Sequence, residues 1–122
     1  MVEIELTREA DELVTVLYRI YLHRRECGSP RRSASYFGTA EQIKERLPRL
    51  WHLYDVEDAC WELVNAGLLD ALPGDDTVNE AKLSDLGIIW NQQRFKRGLS
   101  DVLSTLETAF GIAQHWMPGS GK

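Results

Sequence analysis

Five side chains in this chain could ligate a metal or form a nucleophile–base pair: Cys27, Cys60, His23, His52 and His115. The three histidines are scattered, and no CxxC, HxxxH or HExxH spacing is present. The expectation is therefore no metal site. Two cysteines do not make a disulfide framework. Cys60 falls on the apolar side of a helical pattern, where a buried thiol is expected, and Cys27 directly precedes Gly28 at a helix end. No nucleophile adjoins a base, no carboxylate pair shares a motif, and no glycine-rich phosphate loop is present. The chain reads as a non-enzyme without cofactor.

The chemistry that remains is charge. Residues 55–66 carry Asp55, Glu57, Asp58 and Glu62 with no lysine or arginine. Trp61 lies between Asp58 and Glu62, so Glu57, Asp58 and Trp61 form a candidate protein-binding surface, an aromatic anchor in an anionic rim. The alternative is that Trp61 packs inward against the C-terminal helix. Cations gather elsewhere: Arg19, Arg24, Arg25, Arg31 and Arg32 against Glu26 alone, then Arg94, Lys96 and Arg97. The formal net charge of -5 argues against unspecific affinity for nucleic acid or an anionic membrane. Two basic clusters can still build a basic face.

These residues need elements to hold them. At 122 residues, 43 % hydrophobic, the chain is long enough for one core and one domain. Thr7 caps a first helix whose apolar residues Ala10, Leu13, Val14, Leu17, Ile20 and Tyr21 make one buried stripe. That helix stops before Gly28-Ser29-Pro30. Residues 28–38 form a long connection with a solvated Arg31-Arg32 pair. In it, Tyr36 and Phe37 either make a short strand on the hairpin or pack beneath the loop. Thr39 and Gln42 spell a capping box, and Pro48 ends that second helix. Asp55 caps the third, which buries Val56, Ala59, Cys60, Leu63 and Val64 and stops at Gly67 in the left-handed position. Residues 68–72 and 77–83 pair as a hairpin around Pro73-Gly74-Asp75-Asp76. Ser84 caps a fourth helix, Gly98 breaks it, and a fresh start at Ser100-Asp101 gives the last.

Two stretches carry a resemblance. Leu63-Val64-Asn65-Ala66-Gly67-Leu68-Leu69 is similar to the end of the third helix of the winged helix-turn-helix superfamily, and Leu83-Ser84-Asp85-Leu86-Gly87 is similar to the exit of its wing. The chain resembles that superfamily over about residues 7–97. The implied fold is mainly α with a small β-hairpin: a winged helix-turn-helix domain (1–97), a C-terminal dimerisation helix (98–117) and a disordered tail (118–122). The implied function is a dimeric DNA-binding transcriptional regulator. Its dimer interface would use Leu99, Val102, Leu103, Leu106 and Phe110.

In DNA-binding members of this superfamily the third helix enters the major groove. Here that helix and the wing tip, Asp75 and Asp76, are acidic. Phosphate contacts would instead come from Arg31, Arg32, Lys44, Arg46 and Arg49. The alternative is a winged-helix protein-interaction module that uses the acidic third helix. Trp51, Tyr54, Trp90 and Phe95 read more readily as core than as a ligand pocket. No apolar run of ~20 residues is present, and the acidic start Met1-Val2-Glu3-Ile4-Glu5 lacks a signal-peptide pattern. A cytoplasmic protein without a membrane partner is expected.

Overall fold

The computed structural model describes residues 4–73 and 78–112. The expected wing tip from Gly74 to Thr77, His115 and the expected tail lie outside them. In chain order the elements are α1 (Arg8–Glu26), α2 (Arg31–Ala34), β1 (Tyr36–Gly38), α3 (Ala40–Arg46), α4 (Leu53–Asn65), β2 (Leu69–Pro73), β3 (Val78–Leu83), α5 (Asp85–Arg94) and α6 (Leu99–Phe110). Most described residues are helical, around one antiparallel sheet of order β1-β3-β2. Residues 36–38 do form a strand, with Tyr36 opposite Lys82. The expected two-stranded hairpin is thus a three-stranded sheet, which supplies the support that two strands alone lack.

α1 is the centre of the molecule. Thr7 caps it by accepting the Ala10 N–H at 3.2 Å. Every residue from Glu12 to Tyr21 is buried. The single apolar stripe expected from periodicity is wrong here, because α4 packs on one side of α1 and α6 on another. The run Leu13-Val14-Thr15-Val16-Leu17-Tyr18 is apolar enough to be covered all round. Burying Glu12 and Arg19 with it requires polar partners for both.

α4 starts three residues earlier than expected. His52 occupies the N-cap position and Asp55 sits in the first turn, so Asp55 is not the cap. Val56, Ala59, Cys60 and Leu63 are buried as the pattern requires, and Val64 is half-buried. α4 ends at Asn65 and is followed by Gly67, whose φ of 83° is the left-handed conformation that favours glycine.

The two stretches that carried the resemblance meet in space. The Ser84 hydroxyl donates to the Gly67 carbonyl at 2.6 Å and accepts the Gly87 N–H at 2.9 Å. One side chain therefore caps α5 and ties it to the end of α4. Gly87 then lies so close to the Leu68 carbonyl that a β-carbon there would collide with backbone. α6 begins at Leu99, one residue before the expected start, and ends at Phe110 with Gly111 left-handed.

Candidate functional site

The α3–α4 corner is built by long-range pairing. Thr39 and Gln42 complete the capping box that starts α3, and α3 ends at Arg46, before Pro48. Arg49 then reaches back to α1: its Nε and Nη2 each donate at 2.9 Å to the Glu12 carboxylate. The Glu12 side chain is 3 % exposed, so Arg49 is the cation that makes its burial tolerable. That hydrogen-bonded carboxylate also holds the Arg49 guanidinium above its ordinary pKa. The guanidinium lies 4.9 Å from the centre of the Trp51 ring, within cation–π range. Arg49, expected as a phosphate contact, is therefore paired to α1, although its side chain stays 51 % exposed. No local motif announced this pair, which spans 37 residues.

Beside it, Lys44, Leu50, Trp51, His52 and Leu53 line an open notch of about 330 Å³. Leu50 is 86 % exposed and Tyr54 77 %. Trp51 is buried, yet its indole Nε1 finds no acceptor. From this corner the outward stripe of α4 runs Tyr54, Asp58, Trp61, Asn65, at helical spacing. Tyr54, Asp58 and Asn65 are exposed and Glu57 is half-buried. Trp61 is half-buried and packs on the core, so the fully projecting aromatic of this face is Tyr54, which the sequence pattern had assigned to a core or pocket. Glu62 leaves the stripe: its carboxylate accepts from the Thr7 N–H at 2.7 Å and the Thr7 hydroxyl at 2.8 Å.

The expected basic contacts divide. Arg31 and Arg32 belong to the one-turn helix α2 rather than to an irregular loop. Arg31 makes a long, exposed pair with Asp85 at 3.8 Å. Arg32 lines an open groove of about 700 Å³ on the outer face of the sheet, with Tyr36, Asp70, Leu72, Glu80 and Lys82. Lys44 is half-buried and Arg46 exposed. Other cations are structural. Arg24 donates to the Ala34 carbonyl at 3.2 Å and the Tyr36 carbonyl at 2.6 Å. Burial, then repulsion by Arg46, lowers its pKa. Arg94 pairs with Asp11 at 2.7 Å and Arg97 with Asp101 at 2.8 Å.

α6 lies against α1 within the same chain. Val102 and Leu106 are buried there, while Leu99, Leu103 and Phe110 are half-buried. The four aromatics weighed as a ligand pocket do not share a surface role: Trp51 and Phe95 are buried, Trp90 half-buried, Tyr54 exposed. Cys60 is buried and Cys27 exposed, with the Cys27 sulfur 3.7 Å from the His23 ring. Among the described residues no cluster of His, Cys, Asp and Glu could hold a metal ion, and no helix is long and apolar enough to cross a membrane. Set against protein-family models, curated proteins and solved structures, the chain matches none of them.

Proposed function

We propose that the chain is a winged-helix protein-interaction module with α4 as its docking face. The element order, the β1-β3-β2 sheet and the Ser84 tie between Gly67 and Gly87 support the fold reading. One observation carries the functional reading: the helix that a DNA-binding member would insert into the major groove presents Tyr54 and Asp58 outward, with Asp55 and Glu57 beside them and no cation of its own. Arg49, the nearest arginine in the chain, is held by Glu12. Such a face repels phosphate and attracts a basic protein surface.

Duplex binding through Arg31, Arg32, Lys44 and Arg46, in a dimeric regulator, is the second reading. What favours it is that Arg32, Lys44 and Arg46 make no ion pair among the described residues. A homodimer through α6 would have Leu99, Leu103 and Phe110 to offer, since Val102 and Leu106 already face α1.

A photo-crosslinking residue at Asp58, compared with one at Gln92 on α5, tests the first reading in cells. Protein adducts at position 58 that vanish on Glu57→Gln with Asp58-adjacent Asp55→Asn are expected. Crosslinks to DNA at position 58, or protein adducts equal at both positions, would reject it. Fluorescence anisotropy with a random-sequence duplex tests the second reading. Binding that weakens with salt and with Arg31→Ala plus Arg32→Ala would establish it.

A further inference from the structure

The α3–α4 corner has a shape as well as a charge. We infer that its notch seats one bulky apolar side chain of a basic partner segment, which then runs along α4 with its cations against Asp58, Glu57 and Asp55. This rests on the protein-docking reading and names the partner's chemistry.

Three observations carry it. Leu50 and Tyr54 are the two most exposed large apolar side chains among the described residues, at 86 % and 77 %. Leu50 lines the notch with Trp51 and Leu53, and Tyr54 follows Leu53 in the first turn of α4. Isolated exposed apolar residues need no explanation, but two together at a recessed corner mark a place where a partner can remove apolar area from water.

Next, the corner is held by contacts within the chain. Trp51 is held under the Arg49 guanidinium, Arg49 is fixed by two hydrogen bonds to buried Glu12, and the capping box fixes the start of α3. A pre-organised wall limits the ordering cost of association.

Charge then selects the occupant. Downstream of the notch, α4 offers Asp55, Glu57 and Asp58 and no base. Lys44 and His52 complete the lining of the notch. The field across the corner is therefore polar along one direction: cation at the α3 rim, carboxylates along α4. An acidic segment would meet the carboxylates, and a neutral one would gain only the notch. A segment with one large apolar anchor followed by lysines or arginines satisfies both.

Isothermal titration of the full chain with three synthetic 12-residue peptides tests this. One is lysine- and arginine-rich with a single central tryptophan, one has that tryptophan replaced by alanine, and one is glutamate-rich with the tryptophan kept. The basic tryptophan peptide should bind about tenfold or more tighter than its alanine version, the scale of one interface anchor. Leu50→Ala with Tyr54→Ala should erase that gap. Both positions are solvent-exposed, so an unchanged circular dichroism spectrum is expected. Asp58→Asn with Glu57→Gln should weaken both basic peptides and flatten their salt dependence.

Equal affinity for the two basic peptides, a gap that survives Leu50→Ala with Tyr54→Ala, or tightest binding of the acidic peptide would each overturn the inference. Displacement of the basic peptide from this corner by duplex DNA would overturn it as well. The two proposals fail separately. Protein crosslinks at position 58 without basic-peptide binding keep the docking face and reject this partner class. An absence of protein crosslinks at position 58 rejects the docking face.

Discussion

Cys60 and Cys27 are the same residue type under opposite conditions. Burial, with the Glu57 charge nearby, pushes the Cys60 thiol up to about 12 from its ordinary 9.0. Below pH 9 this thiol is protonated in the folded and unfolded chain alike, and its contribution to stability is intact. Between 9 and about 12 the unfolded thiol ionises while the folded one keeps its proton, so stability falls as pH rises. The slope from this one group approaches about 1.4 kcal/mol per pH unit. Tyr18, raised above 10.0 by burial and by Tyr21, acts in the same direction at higher pH. Denaturant midpoints at pH 8, 9 and 10 should fall less steeply for Cys60→Ala than for the unmodified chain. In the native state a thiol reagent should label Cys27 alone. The helical period already placed Cys60 inside and Gly67 at positive φ, because both follow from local pattern. The Arg49–Glu12 pair was hidden because its partners lie on different elements. One sign of it was visible: residues 10–21 contain only Asp11, Glu12 and Arg19 as charges, too few for a helix with a full solvent face.

Among elements, α5 depends on a missing side chain. Gly87 is helical and needs no positive φ, yet any β-carbon there meets the Leu68 backbone carbonyl. Backbone cannot swing aside as a flexible side chain can. Gly87→Ala should therefore destabilise the chain despite alanine's better helix propensity, by about 1–3 kcal/mol for the forced displacement. Thermal unfolding of the variant measures it, and a gain in stability would refute the close approach. The order of elements was readable from caps and glycines. The third strand was legible only as an option, since Tyr36-Phe37-Gly38 is three residues long and its pairing with Lys82 and Ala81 is set by the hairpin. The start of α4 was misplaced because Asp55 is a better cap by residue type than His52.

For the whole molecule, the fate of α6 separates an internal layer from an assembly surface. Leu106→Ala should cost about 2–5 kcal/mol of stability, at every protein concentration, because Leu106 packs inside its own chain. A loss that shrinks as concentration rises, with sedimentation showing a dimer, would instead assign α6 to association. The amphipathic seam of this helix was legible in the sequence; which surface covers it was not, since an apolar stripe fits its own domain and a second copy equally well. The enclosure of α1 has a consequence for hydrogen exchange. Its amides from Leu13 to Ile20 lie under side chains on every side, so no local fraying exposes them to solvent. They exchange by global opening and report the stability of the entire fold. A ligand bound on the outer face of α4, without touching those amides, would then slow all of them by one common factor set by its concentration over its dissociation constant.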